Sequence, residues 1–325
     1  MTPLKPSDLK TILHSKRANL YYLEHCRVLV NGGRVEYVTD EGRQSLYWNI
    51  PIANTTMLLL GSGTSITQAA MRDLARAGVL VGFSGGGGTP LFSATDRDTD
   101  IVWFSPQSEY RPTEYLQAWV RFWFDDEKRL IAAKRIQKAR IERIRTTWLG
   151  NRVFSEKVFP IDSVRLKEML TKTESSIDLA KDVTDLLTEE ARLTKQLFRL
   201  AVQAVGYSDF TRAKRGSGID PANRFLDQGN YLAYGLGATA TWVLGLSHGL
   251  AVLHGKTRRG GLVFDAADLI KDAVILPQAF ISAMQGDEEQ PFRQACIEAL
   301  TQTEALDFMI ETLQEIALEL GALPK

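Results

Sequence analysis

The residues best placed to do chemistry in this chain lie in two segments of its second half. In "AVLHGKTRRGGLVFDAADLIKDAV", His254 precedes a glycine, Asp265 follows eleven residues later, and Asp268 stands three beyond it. A pair at i and i+3 projects from one face of a helix. In "SIDLAKDVTDLLTEEARLTKQLFRLAVQAV", the apolar positions step by four and three through Val183, Leu187, Leu197 and Ala201. The same stride from Leu187 lands on Glu190 and Thr194, which puts Glu190 on the stripe that faces a core. Glu189 falls instead on a stripe with Asp182, Asp185 (or Leu186), Arg192 and Gln196, which reads as solvated. An unpaired carboxylate in an apolar interior is costly, so Glu190 is expected to be ion-paired, neutralised or bound to a metal.

Each residue also has an ordinary explanation. Glu190 could pair with an arginine from another helix. His254 before Gly255 fits a helix C-terminus, where an imidazolium interacts well with the dipole. Asp265 and Asp268 fit the first turn of a helix, where aspartate is favoured. Taken together, Glu190, His254, Asp265 and Asp268 form a hard oxygen and imidazole set. Such a set suits Mg²⁺ or Mn²⁺ better than a thiolate zinc site. HExxH and CxxC patterns are both missing, so this is the best metal-type constellation available.

Basic charge surrounds it. Lys256, Arg258 and Arg259 follow His254 directly, and "FTRAKRGSG" adds Arg212, Lys214 and Arg215. Residues 121–152 hold ten basic residues against four acids, whereas residues 298–325 hold six acids and one lysine. A basic face beside a hard-metal site points to a polyanionic substrate, with Lys214, Arg215, Lys256, Arg258 and Arg259 as candidate phosphate contacts. Three readings fit these residues: a metal-dependent nuclease, a non-catalytic nucleic-acid-binding assembly subunit, and a small-molecule metallohydrolase.

A second stretch, "MLLLGSGTSITQAAMRDLARAGVLVGFSGGGG", imitates a phosphate-binding turn. Gly61 and Gly63 fit the G-x-G-x-x-G fingerprint, but Ile66 stands where the third glycine belongs, and no Gly-Lys-[Ser/Thr] follows. It reads as a strand-to-helix corner, with Thr64 or Ser65 as N-cap, Gly78 as C-cap and "SGGGGTP" as a hairpin tip.

The elements around these motifs change period midway. Up to about residue 105, "NLYYLEHC", "RVLVNG", "RVEYVT" and "QSLYWNI" read as short strands, and Asn31-Gly32-Gly33 reads as a hairpin turn. After Pro106 and Pro112 nearly everything reads as helix. The expected helices cover residues 115–148 (one long helix or a bent pair), 175–205, 221–254, 265–284 and 290–320. The fold class is therefore α+β, with a small β-rich, sandwich-like domain at 1–105 and a larger helical domain at 106–325.

Bulk properties fit an ordinary globular chain of 325 residues, 44% of them hydrophobic. Lys plus Arg and Asp plus Glu are equal at 39 each, so no global field argues for nucleic acid or membrane. Cys26 and Cys296 form no motif, and the basic start has no apolar signal core, which suits a reducing cytoplasm. The weakly polar run at residues 231–253 is long enough to span a bilayer, but it is rich in Gly, Ala, Ser and Thr. It reads as a buried helix pair broken around residues 245–249.

The order of these features resembles a known family. A site glutamate in a long helix is followed by "DPANRFLDQGN", a glycine-rich helix ending in His254, and Asp268. That order, with the "GTSIT.AA...LA..G" element between two strands, is similar to the CRISPR-associated integrase of spacer acquisition. The wording is nearest the type I-F branch. The resemblance implies that Glu190, His254 and Asp268 are metal ligands, with Asp265 the nearby second acid. It further implies a homodimer and a small adaptation partner, fused in type I-F to a nuclease-helicase. Double-stranded DNA fragments and CRISPR repeat DNA would be the substrates.

Overall fold

A computed structural model describes residues 19–41, 44–83, 102–104, 111–150, 152–155, 157–208, 210–213, 220–255 and 260–322. The chain divides into two compact units, Met1–Tyr110 and Arg111–Lys325.

Among the described residues the first unit holds eight strands: β1 (Asn19–Leu23), β2 (Arg27–Asn31), β3 (Arg34–Glu41), β4 (Gln44–Asn49), β5 (Thr55–Leu60), β6 (Ser65–Ile66), β7 (Leu80–Phe83) and β8 (Val102–Phe104). They form two four-stranded sheets, ordered β1-β5-β7-β8 and β4-β3-β2-β6. The β2–β3 hairpin turns on Gly32 and Gly33, at φ 54° and 78°. Side chains from both sheets and from helix α1 (Gln68–Arg76) share one apolar core, including Val28, Val35, Leu58, Leu74 and Val81.

The glycine turn is a corner between these sheets. Gly61 N–H donates to Leu23 O at 2.8 Å, Ser65 N–H to Cys26 O at 3.0 Å, and Thr67 N–H to Val28 O at 2.9 Å. A Cβ on Gly61 would lie 2.7 Å from both Glu24 Cγ and Tyr22 Oη, so a larger residue there would have to displace those side chains. The N-cap is Thr67, not Thr64 or Ser65, because Ser65 and Ile66 are spent on a short parallel strand beside β2. The "SGGGGTP" tip lies outside the described residues.

The second unit is helical. Its elements are α2 (Glu114–Trp123), α3 (Asp126–Leu149), α4 (Ser163–Leu179), α5 (Val183–Val205), α6 (Pro221–Val243), α7 (Gly261–Ile270), a π-helical turn (Lys271–Ile275), α8 (Leu276–Gln285), α9 (Glu289–Gln302) and α10 (Ala305–Leu320). Residues 115–148 are thus a bent pair, broken where Asp125 caps α3 by accepting from Glu127 and Lys128 N–H. Residues 175–205 are not one helix. Asp182 takes an extended backbone and caps α5, ending α4 at Leu179.

Residues 221–254 differ most from expectation. Helix α6 stops at Val243, Gly245 turns at φ 68°, and residues 246–255 form irregular turns. His254 therefore lies in a loop and caps no helix. Helix α7 begins at Gly261 rather than Asp265, so both aspartates are mid-helix and buried. Among the described residues no helix is long and apolar enough to cross a membrane.

Candidate metal centre

The loop carrying His254 is held by Asp265 along four hydrogen bonds. Asp265 Oδ2 accepts from the N–H groups of Val252 (2.7 Å) and Leu253 (3.1 Å). Its Oδ1 accepts from His254 N–H at 3.0 Å and contacts His254 Nδ1 at 2.8 Å. A continued α6 would have spent those backbone donors on its own carbonyls; broken here, the chain offers them to one carboxylate. The loop is braced from α2 as well. Trp119 and Trp123 donate their indole N–H groups to Leu250 O (2.9 Å) and Ala251 O (2.8 Å). The start of α7 closes against the loop, since a Cβ on Gly261 would lie 2.8 Å from Ala251 Cβ and 3.0 Å from His254 C.

With Nδ1 engaged by Asp265, the other ring nitrogen faces Glu190, whose Oε2 lies 3.5 Å from His254 Nε2. Asp268 sits one helical turn after Asp265. Its Oδ2 is 3.8 Å from His254 Nδ1. Glu190, His254 and Asp268 each place one ligand atom within 4.8 Å of the others. Asp265 lies outside that trio and reaches it through His254.

Electrostatics favour ionised groups in this cluster. Burial alone would push His254 down, but the Asp265 and Glu190 contacts and the Asp268 charge outweigh it and raise its pKa to about 10. For Glu190, burial is opposed by His254, Lys271 and Arg140, which hold the carboxyl far below the usual range. Asp268 moves the other way, raised chiefly by burial. The Lys271 ammonium, raised by Asp268 and Glu190 against burial, contacts Asp268 Oδ1 and lies 3.7 Å from Glu190 Oε1.

A hard divalent cation suits these donors. Asp268 Oδ2 is buried and has no hydrogen-bond partner among the described residues. A desolvated carboxylate oxygen left so is expensive unless a cation satisfies it. Glu190 and Asp268 would supply one oxygen each and His254 its Nε2, with Asp265 fixing the ring from behind.

The helical stride did not separate the two glutamates by exposure. The Glu189 side chain is 12% exposed and that of Glu190 13%, and Leu186, grouped with the solvated stripe, is fully buried. Helix α5 packs against α3, α4 and α8, which widens its buried face. Partners separate them instead: Glu189 pairs with Arg192 on its own helix, while Glu190 faces His254 and Lys271.

The arginine that could have paired with Glu190 is also present, spent elsewhere. Arg140 is fully buried on α3. It pairs with Asp272 and donates to Gln137 Oε1 (2.9 Å) and Thr194 Oγ1 (2.7 Å). Thr194 is one turn beyond Glu190 on α5. Sequence reading missed Arg140, Asp272 and Lys271. The signal for the last two was Pro277, seven residues into "KDAVILP". Proline has no N–H to donate, so carbonyls one turn earlier go short and the helix widens into a π turn. Trp148 Nε1 donates to both Asp272 O (3.2 Å) and Ala273 O (3.1 Å) in compensation.

The basic run on α2 and α3 is largely engaged within the chain. Lys138 pairs with Asp178, Arg135 with Glu319, and Arg145 with Glu142 and Glu174. Arg121 donates to the backbone carbonyl of Gly321, just past the C-terminal helix, and Arg135–Glu319 is the ion pair among these that reaches that helix. Arg212 is committed to Asn223 and Asp227. Lys214, Arg215, Lys256, Arg258 and Arg259 lie outside the described residues.

Comparison with known proteins places the chain among relatives of one family. The pattern of the CRISPR associated protein Cas1 family matches residues 20–282. The chain is 71% identical to the CRISPR-associated endonuclease Cas1 of Pseudomonas aeruginosa, over 98% of both chains. It is 66% identical to the protein of the same name from Pectobacterium atrosepticum, over 97% of both. Its fold is similar to a casposase bound to integration product (TM-score 0.65, 13% identity, 93% of this chain and 91% of that one). It is also similar to the TtCas1–DNA complex (TM-score 0.60, 23% identity, 91% of each chain).

Proposed function

The chain belongs to the CRISPR-associated Cas1 family, and from that premise we propose that it is a divalent-metal-dependent DNA endonuclease and integrase. Its substrates are double-stranded DNA fragments, which it inserts as new spacers into CRISPR repeat DNA. The observation that carries this reading is the convergence of Glu190, His254 and Asp268 around an unsatisfied Asp268 oxygen.

The reaction is an in-line displacement at phosphorus. A 3′-hydroxyl of the captured fragment attacks a repeat phosphodiester; the new P–O bond forms as the old one breaks, and the displaced 3′-oxygen takes a proton. With water as nucleophile the same displacement is hydrolysis. Bound Mg²⁺ or Mn²⁺ would polarise the phosphodiester and make the attacking hydroxyl more acidic. The chain's own residues hold the rest. Glu190 and Asp268 supply carboxylate oxygens, and Asp265 keeps the His254 proton on Nδ1 so that Nε2 is free to donate a lone pair. No protein nucleophile is required.

Residues 1–105 serve dimerisation and partner contacts, and residues 106–325 serve catalysis and DNA binding, with phosphate contacts from Lys214, Arg215, Lys256, Arg258 and Arg259. The protein works in the cytoplasm as a homodimer with a small adaptation partner, fused in the type I-F setting to a nuclease-helicase. Solved relatives named as a Cas1–DNA complex and as a Cas6-RT-Cas1–Cas2 complex support DNA and partner binding.

The test is cleavage of linear DNA with Mn²⁺ or Mg²⁺ by wild type, Glu190→Ala and Glu189→Ala. Activity that needs metal, survives Glu189→Ala and is lost in a folded Glu190→Ala supports the proposal. Equal behaviour of all three proteins returns the chain to the non-catalytic assembly reading.

A further inference from the structure

Glu190 and Asp268 each divide their two oxygens between two neighbours. Glu190 Oε2 and Asp268 Oδ2 face His254, at 3.5 Å from Nε2 and 3.8 Å from Nδ1. The opposite oxygens, Glu190 Oε1 and Asp268 Oδ1, both lie against the Lys271 ammonium. In two-metal phosphoryl-transfer sites, a second ion sits ~3.5–4 Å from the first and shares its ligands. Here a side-chain cation already bridges the second pair of oxygens.

We propose that Lys271 is a tethered second cation: its ammonium fills the place where a second divalent ion would bridge Glu190 and Asp268. The site therefore takes one ion and keeps a fixed positive charge beside it. This rests on the metal-site reading above.

Charge balance points the same way. The cluster holds the carboxylates of Glu190, Asp265, Asp268 and Asp272 and two basic side chains, Arg140 beside Asp272 and Lys271 beside Glu190 and Asp268, while Asp265 faces His254. That leaves two negative charges, which one divalent ion neutralises when His254 is uncharged. Nor is Lys271 a loose surface lysine. Its side chain is 18% exposed, and it stands three residues after Asp268. It also opens the π turn that Trp148 and the Arg140–Asp272 pair hold in place. A lysine so anchored is a positioning residue: it sets the orientation and charge of the two carboxylates.

The experiment counts Mn²⁺ bound to the full chain from the electron paramagnetic resonance signal of the free ion. Wild type, Lys271→Met, Lys271→Arg and Glu190→Gln are compared. Wild type is expected to bind one ion per chain, and Glu190→Gln to lose it. Lys271→Met, which keeps the aliphatic stem, should bind Mn²⁺ at least about tenfold more tightly, equivalent to ~1.4 kcal/mol. Its cleavage rate at saturating Mn²⁺ should nevertheless fall by about tenfold or more, the same conversion applying to the barrier. Lys271→Arg should retain wild-type affinity. If Lys271→Met does not fold, Lys271→Gln replaces it.

Unchanged or weaker binding by a folded Lys271→Met overturns the inference while leaving the metal site standing. A cleavage rate that rises with affinity overturns it too. If neither wild type nor Lys271→Met binds Mn²⁺, the metal reading falls and the inference with it.

Discussion

Asp265 and His254 are joined twice, through the backbone N–H at 3.0 Å and the ring Nδ1 at 2.8 Å, both on the same carboxylate oxygen. One side chain therefore sets the position of the histidine's main chain and the orientation of its ring. A ring fixed in this way presents Nε2 to Glu190 without paying rotamer entropy on ion binding.

Asp265→Asn tests that relationship. The amide is nearly isosteric but offers one acceptor oxygen and puts an NH₂ group against backbone donors. Mn²⁺ affinity is expected to drop by roughly 10–100-fold, the usual cost of losing an outer carboxylate partner. Hydrogen bonds to a charged group are worth ~1.5–3 kcal/mol each, so urea denaturation should show a clear loss of stability as well. Normal stability with normal affinity would refute the clamp.

Ion binding should depend on pH in a defined direction. His254, raised to about 10 by its carboxylate neighbours, must lose its proton to use Nε2 as a ligand. Mn²⁺ affinity is therefore expected to rise with pH, by about tenfold per unit between pH 6 and 8 if one proton is displaced. Calorimetric titration in two buffers of different ionisation enthalpy reads that proton directly.

The same shift makes a stability prediction. A histidine whose folded pKa lies above its unfolded value of ~6.5 contributes stability that is fully present below that value and is lost as pH rises toward 10. Melting in EDTA should therefore weaken from pH 7 to pH 10 through this residue. With Mn²⁺ present the trend should reverse. A His254→Gln protein that keeps the EDTA trend unchanged would assign it to other groups.

Arg140→Met should destabilise the helical unit by ~3–5 kcal/mol, because Asp272 is left buried without its cation. Adding Asp272→Leu should recover part of the loss, since an apolar pair can replace a buried ion pair. Chemical denaturation of the single and double variants measures both. A single variant as stable as wild type would show that the pair contributes nothing to the support of the site.

DNA affinity should fall steeply with salt, with a slope of about −0.9 per phosphate neutralised. Arg258→Ala with Arg259→Ala should flatten that slope by about 1.8 if both residues contact phosphates. Fluorescence anisotropy across a salt series measures it. An unchanged slope would move the phosphate contacts elsewhere on the chain.

What could be read along the chain was local. The switch from strands to helices, the Gly32-Gly33 hairpin and the glycine turn as a corner all rest on rules that act within a few residues. Helix ends were less legible. Asp182 and Asp125 restart helices where the apolar pattern runs through, and a break in the backbone does not disturb a stripe on its face. The end of α6 at Val243 was blurred for a similar reason: residues 231–253 are apolar in helix and loop alike, because both are buried.

Residue types and spacing by themselves offered Glu190, His254, Asp265 and Asp268 as one hard donor set and put Asp265 and Asp268 on one helix face. Tertiary structure decided which partners surround each of them. It separated Glu189 from Glu190 by partner rather than exposure, turned Asp265 toward the His254 loop, and matched Arg140 to Asp272. It also set Lys271 across two carboxylates. The pairings of Asp265 with His254 and of Arg140 with Asp272 join residues 11 and 132 positions apart, and within a crowded interior each buried charge takes the partner that packing brings within reach.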